Sequence, residues 1–259
     1  MRHDNVCLFH FSATGTTKTV VETMGKTLAG NPVVLDLLQN PLDEETAIGP
    51  DSLVIVGLPV YSGRIPTVCR ESLAKLKGRH TPAIAVVVFG NRDYDDALLE
   101  LKNTLEDNGF FVFGAAAFVA RHAIFPQVAA QRPDEEDLRA VTKFAADCAH
   151  KLESMAGLTE TGLVHVKGNY PYKEAQPVAL KPSADDSCTL CGACVEVCPT
   201  NSLALGDALV KNNDLCIACA ACVWCCPAKA QAFRGPEYDA YAKVFGEKFS
   251  LPKKPEIFL

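Results

Sequence analysis

The feature that most constrains how this chain can fold is a crowd of cysteines near its C-terminal end. Nine of the twelve cysteines among the 259 residues lie between positions 188 and 226. Eight of the nine form two arrays of the same spacing, C-x2-C-x2-C-x3-C-P, which lie 28 residues apart (216 − 188 = 28). The segment is therefore an internal duplication. Thiols this dense, in a chain whose start does not resemble an export signal, favour metal binding in a reducing compartment over disulfides.

The spacing within each array suits an iron–sulfur cubane. A C-x2-C-x2-C loop can wrap three thiolates around three corners of the cubane, and the proline after the fourth cysteine turns the chain away. The arrays resemble those of bacterial two-cluster ferredoxins over about 40 residues. This resemblance implies two [4Fe–4S] clusters that exchange their fourth ligands. Cluster one would take Cys188, Cys191, Cys194 and Cys226, and cluster two would take Cys216, Cys219, Cys222 and Cys198.

Two alternatives concern the same cysteines. A pair of zinc knuckles would need only four sulfurs per site and no terminal Cys-Pro. In the second array Cys225 precedes Cys226, but the x3 spacing and the following Pro227 favour Cys226 as the ligand and leave Cys225 as a spare thiol. The three cysteines outside the arrays, Cys7, Cys69 and Cys148, are expected to be small buried hydrophobic residues.

Residues 1–157 alternate strand-like runs with helix-like segments. Runs such as Leu53–Val56 and Ala85–Val88 are apolar at every position, as expected for parallel strands covered on both faces. Five βα units predict an α/β fold, a flavodoxin-like doubly wound five-stranded parallel sheet of order 2-1-3-4-5. The region 40–50 is expected to form a short helix or a loop. The predicted strands are Val6–Phe11, Val33–Leu37, Leu53–Gly57, Ala83–Phe89 and Phe111–Val119; the predicted helices are Thr16–Ala29, Thr67–Lys77, Tyr94–Asn108 and Pro133–Leu152.

The rest of the chain divides into three parts. Glycines and prolines interrupt residues 158–187, which we interpret as a linker held by Tyr170-Pro171-Tyr172. Residues 188–234 form a predicted α+β two-[4Fe–4S] ferredoxin-like domain. Residues 235–259 form a tail with a predicted helix at Pro236–Phe245, and aromatic residues in this tail indicate that it packs back on the protein.

The first βα turn of the N-terminal domain has the composition of an anion site. It contains hydroxyl side chains and one glycine but no G-x-G-x-x-G and no Walker lysine. Backbone N–H groups at a helix start can hold a phosphate dianion, although Ser and Thr are also ordinary helix caps. The turn follows the first strand, where doubly wound domains bind ligands. Its candidate phosphate-binding residues are Ser12, Ala13, Thr14, Gly15, Thr16 and Thr17.

Two further strand ends extend this resemblance to flavodoxins. Ser-x-Thr-Gly-Thr-Thr, Pro-Val-Tyr-Ser-Gly-Arg-Ile-Pro and Gly-Asn-Arg-Asp-Tyr-Asp-Asp-Ala together are similar to a bacterial family that fuses a flavodoxin-like domain to a two-cluster ferredoxin. The resemblance spans nearly the whole chain and implies FMN. The residues expected around the flavin ring are Pro59, Val60, Tyr61, Ser62 and Gly63 on one side and Gly90, Asn91, Arg92, Asp93 and Tyr94 on the other.

Several side chains near this site have two interpretations. Tyr61 or Tyr94 could stack on the flavin or simply pack within their loops. Arg64 and Arg92 could compensate flavin charge or be solvated. His10, at the end of the first strand, is expected to have a packing role. The chain departs from many flavodoxins in its only tryptophan, Trp224, which lies within the second cysteine array rather than beside the flavin loops.

Charge and hydropathy limit the partners. The net charge is −6 and no Lys/Arg-rich block occurs, so nucleic acid and anionic membranes are poor partners. The longest apolar runs fall short of the roughly 20 residues that a membrane span needs, so we expect a cytoplasmic protein. Redox proteins are the expected partners, and the sequence leaves a homodimer open.

The leading hypothesis is an electron-transfer iron–sulfur flavoprotein of anaerobic metabolism. It would relay low-potential electrons between FMN, two [4Fe–4S] clusters and partner proteins, since the cofactors supply the redox chemistry and the protein supplies their binding and orientation. The alternative is an FMN-dependent reductase of a corrinoid, quinone or flavin, fed by the clusters. A third hypothesis is a regulatory protein whose flavodoxin-like domain has lost FMN.

Overall fold

The computed structural model describes residues 5–155 and 164–259. The predicted domain boundary at residue 157 and the first linker residues, 158–163, lie outside this range. The described strands are β1 (Asn5–His10), β2 (Val33–Asp36), β3 (Thr46–Ile48), β4 (Ser52–Pro59), β5 (Leu76–Gly78), β6 (Thr81–Phe89), β7 (Phe110–Val119), β8 (Ser183–Ala184), β9 (Leu203–Leu205), β10 (Leu209–Lys211), β11 (Gln231–Ala232) and β12 (Glu256–Phe258). The helices are α1 (Thr16–Leu28), α2 (Cys69–Lys75), α3 (Ala97–Asp107), α4 (Glu135–Ser154), α5 (Ala193–Glu196), α6 (Ala221–Cys225) and α7 (Pro236–Lys248).

Five parallel strands form the centre of the N-terminal domain in the order β2-β1-β4-β6-β7. In β1 Leu8 pairs with Val34 of β2 and with Ile55 of β4. All nine residues of β6 are buried, as expected for a strand covered on both faces. Counting only these five strands along the chain gives 2-1-3-4-5, which is the order of the flavodoxin-type doubly wound fold. The predicted fold class is confirmed.

Two apolar layers cover the sheet because successive side chains of each strand point to opposite faces. In β4, Val54 and Val56 belong to the core on one face, whereas Leu53 and Ile55 belong to the core on the other. The first layer includes buried residues of α2 and α3, and the second includes buried residues of α1 and α4. Burial of each aliphatic side chain in these layers contributes roughly 1.5–3 kcal/mol to the free energy of folding, relative to leaving it exposed to water.

The sheet has a sixth strand that the sequence analysis did not predict. Strand β12 pairs antiparallel with the edge strand β7, so that Ile257 lies opposite Ala116. The Pro-rich end of the chain predicts only an extended segment, and whether an extended segment joins a sheet depends on contacts distant in sequence. Here Asn91 supplies some of them, because its amide group donates to the carbonyls of Phe249 and Leu251 and accepts from the N–H of Lys253.

Residues 46–48 differ from the expectation of a short helix or a loop. They form β3, which pairs in parallel with β5 as a separate two-stranded sheet. The Thr81 hydroxyl donates to the carbonyl of Ile48 at 2.7 Å and ties this pair to the start of β6. Only three residues take part in each strand, too few for a clear alternation in the sequence.

The cysteine-rich part repeats one pattern twice. Helices α5 and α6 each begin inside a C-x2-C-x2-C loop, strand β9 pairs with β10, and the short strand β8 pairs with β11. The segment that leads to it runs over the N-terminal domain. The buried carboxylate of Asp96 accepts from the N–H groups of Asn169 and Lys173, and Tyr172 accepts from Asn103 at 2.9 Å.

The second cysteine array packs directly against the N-terminal domain. Ala218 and Ala220 of this array form a small apolar cluster with Phe233, and Ala123 and Ile124 from the loop after β7 pack against it. No helix within residues 5–155 or 164–259 is both long and apolar enough to cross a lipid bilayer.

Candidate functional site

A cavity of about 260 Å³ lies beyond the carboxyl ends of β1, β4, β6 and β7. This is the edge where doubly wound sheets bind ligands, because the loops that follow neighbouring parallel strands meet there. Four stretches of the N-terminal domain line the cavity, and three residues from the linker and the second cysteine array and one from α7 complete it. The lining residues are Ala13, Thr14, Thr16, Thr17, Pro59, Val60, Tyr61, Ser62, Val88, Phe89, Gly90, Arg92, Ala120, Arg121, His122, Ala123, Ile124, Phe125, Val178, Ile217, Ala218 and Phe245.

The start of α1 forms one end of the cavity. Thr14, Thr16 and Thr17 line it, and their hydroxyl and backbone N–H groups are the donors available there. The first turn of α1 carries no acidic residue, so the positive end of the helix dipole is not neutralised by the chain itself. Ser12 has a different role, because its Oγ accepts from the N–H of Lys18 at 3.0 Å and so closes the turn. This end suits a phosphate dianion.

The loop after β4 is a tight hairpin beside the cavity. Tyr61 and Arg64 exchange two backbone hydrogen bonds of 2.9 and 3.0 Å, and both residues between them have positive φ, 52° at Ser62 and 80° at Gly63. A Cβ on Gly63 would lie within 2.2 Å of the Asp95 carboxylate, so this position needs glycine on two grounds. The carbonyl of Gly63 accepts from the N–H of Asp96 at 3.1 Å.

A buried ion pair braces this hairpin. Arg64 donates two hydrogen bonds of 2.7 Å to the Glu100 carboxylate, which also accepts from Arg70 and from the N–H of Ile65. The Arg64 guanidinium also lies 4.8 Å from the ring centre of Tyr172. Neither interpretation of Arg64 from the sequence holds, because the residue is structural: it neither reaches the cavity nor lies free in solvent.

The loop after β6 divides its side chains between the cavity and the tail. Gly90 and Arg92 line the cavity. Asn91 instead binds tail carbonyls, Asp93 pairs with Lys253, and the fully buried Tyr94 donates its hydroxyl proton to Glu256. Of the residues expected around the flavin ring, the side chains of Asn91, Asp93 and Tyr94 are therefore directed toward the C-terminal segment. Stacking of Tyr94 on a flavin is ruled out by this packing.

Tyr61 remains the aromatic residue of these loops that faces the cavity. Its ring meets Phe11 edge-on at 6.5 Å. Burial raises the pKa of the Tyr61 phenol well above its usual range, with smaller contributions from Cys219 and Cys69. Tyr61 is thus a neutral phenol at the boundary between the cavity and the second cysteine array.

The loop after β7 supplies lining residues that the sequence analysis missed. Arg121 to Phe125 all face the cavity. The sequence held one signal for them, because β7 is parallel to β6 and its carboxyl end must lie at the same edge. No direct signal for His122 was present in the sequence, because no other residue lies near it at the spacing of a ligand motif.

His122 is fixed in orientation. Its Nδ1 accepts from the N–H groups of Ile124 and Phe125 at 3.2 and 3.1 Å. A Cβ on Gly90 would lie 2.6 Å from the ring, so glycine is needed beneath it. Burial lowers the pKa of His122 to about 4, and Arg92 contributes to the same shift. The imidazole is therefore neutral at physiological pH.

His10 lies away from the cavity. It is fully buried, its Nδ1 is 3.8 Å from the Asp36 carboxylate, and neither ring nitrogen has a hydrogen-bond partner among the described residues. Burial lowers its pKa, against the attraction of Asp36. These contacts fit the packing role expected for it.

The eight array cysteines gather into two groups of four. One small cavity is lined by Cys188, Cys191, Cys194 and Cys226, and another by Cys198, Cys216, Cys219 and Cys222. The fourth cysteine of each array thus lies with the first three of the other array. Cys225 does not line either cavity, and its thiol instead lies 3.6 Å from the carbonyl of Cys222.

The two groups differ in exposure. In the first, Cys191 and its neighbour Leu190 are exposed, and Leu205 beside them is 46% exposed. In the second, Cys219 and Cys222 are buried. Burial raises the pKa of Cys219 to about 11 and of Cys222 to about 12. These thiols would become thiolates only on binding a cation, which is how metal binding is coupled to proton release.

The second cysteine group and the large cavity share a wall. Ile217 and Ala218, which separate Cys216 from Cys219, both line the large cavity, and Ile217 also lines the small cavity of the second cysteine group. Beside them the Arg121 guanidinium lies 3.9 Å from the ring centre of Trp224. The tryptophan is therefore linked to the rim of the cavity through an arginine rather than lying over it.

A match to a known protein family supports the interpretation of the first array as a cluster-binding motif. Residues 185–204 match the 4Fe-4S binding domain family, and this stretch contains Cys188 to Cys198. No curated protein matches the chain.

Three solved structures are similar to part of the chain. Flavodoxin 1 from Bacillus cereus is 14% identical with a TM-score of 0.43, over 59% of this chain and 99% of that one. A flavodoxin from Streptococcus pneumonia TIGR4 is 17% identical with a TM-score of 0.39, over 57% and 99%. Rubredoxin oxygen:oxidoreductase from the anaerobe Desulfovibrio gigas is 15% identical with a TM-score of 0.44, over 58% of this chain but only 36% of that protein.

The fold assignment rests on the strand order rather than on these similarities. With the family match, the order shows that the chain joins a flavodoxin-type sheet domain to a ferredoxin-type 4Fe-4S segment.

Proposed function

We propose that this chain is an iron–sulfur flavoprotein that transfers electrons between FMN, two [4Fe–4S] clusters and redox partner proteins. One observation carries the proposal: the loop of the second cysteine array is also a wall of the cavity at the carboxyl edge of the sheet. FMN exchanges two electrons or one, and a [4Fe–4S] cluster exchanges one.

The cavity fits FMN in its distribution of polar groups. The start of α1, with Thr14, Thr16 and Thr17, would hold the phosphate. Apolar and aromatic residues at the other end, with Tyr61 and Phe245 among them, would enclose the ring. Such a division, with a few placed polar groups in a mostly apolar pocket, is typical of cofactor sites. The other loop residues that we expect around the ring are Pro59, Val60, Ser62, Gly63, Gly90 and Arg92.

The two cysteine groups fit two clusters. Each group has four thiols, three from one array and one from the other, and this is the exchanged ligand set of two-cluster ferredoxins. We assign Cys188, Cys191, Cys194 and Cys226 to cluster one and Cys216, Cys219, Cys222 and Cys198 to cluster two. The two groups are neighbours, since Cys194 of one and Cys222 of the other lie in one apolar cluster with Leu203.

The exposed group is the proposed docking site for partner proteins. In space, the cysteines proposed for cluster two lie between the cavity and the cysteines proposed for cluster one. The cluster-one group has Cys191, Leu190 and Leu205 at the surface. The centre of a protein interface is commonly apolar and contains few charged residues. The net charge of −6 favours a partner with a basic surface.

Cofactor analysis tests the proposal. Protein reconstituted anaerobically with iron, sulfide and FMN should hold about eight iron atoms, about eight sulfides and one FMN per chain. Zinc in place of iron would indicate zinc knuckles. Iron and sulfide without flavin would instead support the hypothesis of a domain that has lost FMN.

A second cavity favours a reductase as the other candidate function. It measures about 560 Å³ and lies on the other side of Tyr61 and Ser62, between the linker and the second array. Val178 and Ile217 line both cavities. A small acceptor in this cavity would be separated from the flavin site by single side chains. Turnover of a quinone, corrinoid or free flavin by the purified holoprotein, with no partner protein present, would establish this function in place of the carrier.

A further inference from the structure

The side chain of His122 lines the cavity, and the chain holds one of its two ring nitrogens. Nδ1 accepts two backbone N–H groups, at 3.2 Å from Ile124 and 3.1 Å from Phe125. A nitrogen that accepts must carry a lone pair, so the proton of a neutral ring is on Nε2. Among the described residues no group hydrogen-bonds to Nε2, and the ring lines the cavity.

Aromatic packing and the two hydrogen bonds hold the ring in place. The ring centre of Phe245 lies 4.7 Å from that of His122, and the ring centre of Phe125 lies 5.2 Å from it. The imidazole also occupies the space that a Cβ on Gly90 would need. The pKa near 4, caused by burial and by Arg92, means that the ring stays neutral and carries its single N–H throughout the physiological range. The site thus contains a preorganised, uncharged hydrogen-bond donor.

We propose that His122 Nε2–H donates a hydrogen bond to an acceptor atom of the bound flavin ring and so stabilises the reduced ring relative to the oxidised one. This inference rests on the proposed FMN site. Reduction adds negative charge to the carbonyl and nitrogen acceptors of the ring, and a hydrogen bond to a charged acceptor is about twice as strong as one to a neutral acceptor. A donor fixed before the electrons arrive needs no reorganisation.

Two substitutions separate this role from a purely structural one. In His122→Asn the amide oxygen can still accept from the N–H groups two and three residues later, as in an Asx turn, but the side chain is too short to reach the flavin. In His122→Gln the amide N–H can occupy the place of Nε2–H, while the acceptor at Nδ1 is lost. His150→Asn, on the exposed side of α4, is the matched control.

The experiment is an anaerobic spectroelectrochemical titration of the flavin in the holoprotein, with FMN affinity and thermal stability measured on the same samples. His122→Asn should bind reduced FMN about tenfold less tightly relative to oxidised FMN, which for a two-electron couple lowers the potential by about 30 mV. It loses the ring contacts with Phe125 and Phe245 but keeps the backbone hydrogen bonds, so it should unfold below the wild-type temperature and above that of His122→Gln. His122→Gln should keep the wild-type potential and unfold at a lower temperature, and His150→Asn should change neither.

The outcomes that contradict the inference are distinct. If the wild type binds FMN and His122→Asn has the wild-type potential, the histidine is structural and only the inference fails. If His122→Gln shifts the potential while His122→Asn does not, the role of Nδ1 accounts for the effect and the inference also fails. If the wild type binds no FMN under any condition, the proposed function and the inference fail together.

Discussion

At the scale of single residues, a few buried polar side chains position the loops of the cavity. Glu100 accepts hydrogen bonds from two arginines and from a backbone N–H, and this fixes the hairpin after β4. The backbone N–H of Asp96 holds Gly63, while its carboxylate holds the linker. Breaking a buried pair by removing one partner costs about 3–5 kcal/mol. Neither Glu100 nor Asp96 lines the cavity, yet both hold loops that form it.

The adjacent Cys225 and Cys226 give a residue-scale prediction. Cys226→Ser should remove the fourth ligand of cluster one and lower the iron content from about eight to about four atoms per chain. Cys225→Ser should leave the iron content near eight, because that thiol lies against a backbone carbonyl instead of facing a cysteine cavity. Iron and acid-labile sulfide assays on anaerobic protein measure both. The reverse result would assign Cys225 as the ligand.

At the scale of elements, the sequence predicted the five parallel strands of the central sheet and the four helices that cover it, because their apolar periodicity is local. It did not predict that β12 joins the sheet, since that pairing depends on Asn91 and on edge strand β7, far away in sequence. Asn91 and Tyr94 were expected at the flavin for the same reason, because their actual partners lie in the C-terminal segment, far away in sequence. A motif places a residue on a loop but does not determine which way its side chain points.

The start of α1 gives the first element-scale prediction. Thr16→Glu places a carboxylate where the phosphate would lie, and it should weaken FMN binding by about a hundredfold through repulsion between like charges. An acidic residue in the first turn favours the helix itself, so the fold should be kept. Fluorescence titration with FMN and with riboflavin measures the effect.

Riboflavin and a neighbouring threonine provide the controls. Riboflavin has no phosphate, so its affinity should change little in Thr16→Glu. The exposed Thr19 lies nearly one turn further along α1 and does not line the cavity, so Thr19→Glu should bind FMN almost as the wild type does. Equal losses for FMN and riboflavin would mean that the phosphate lies elsewhere.

The anchor of the linker gives a prediction for pH dependence. Burial alone would raise the pKa of Asp96, but hydrogen bonds from Lys173 and Asn169 outweigh it and lower the pKa. A lowered folded-state pKa contributes stability above the unfolded value of about 3.9, and this contribution is lost as the pH falls through the folded value. Asp96→Asn should therefore cost about 1–3 kcal/mol of unfolding free energy at neutral pH and less in acid.

Urea unfolding of Asp96→Asn and the wild type across the acid range measures this difference. Asp107→Asn, at the exposed end of α3, is the control and should change stability little at any pH. A difference between Asp96→Asn and the wild type that stays constant down to low pH would show that the carboxylate charge does not hold the linker.

At the scale of the whole molecule, the relation between the domains is what the sequence could not supply. The arrays and the loops could each be recognised from local spacing, so most of the candidate ligands were predicted. The loop of residues 121–125, Val178 and Phe245 were not, because they enter the site only through the packing of three distant segments. That packing places the second array against the cavity within one chain.

The most direct test of this account is a stopped-flow measurement of flavin reduction in anaerobic holoprotein mixed with a one-electron donor. We expect the clusters to be reduced first and the flavin absorbance to decrease next in a first-order phase whose rate does not change with protein concentration. Loss of that phase in Cys219→Ser would place cluster two on the path. A flavin that stays oxidised after the clusters are reduced, or a rate proportional to protein concentration, would contradict electron transfer within one chain.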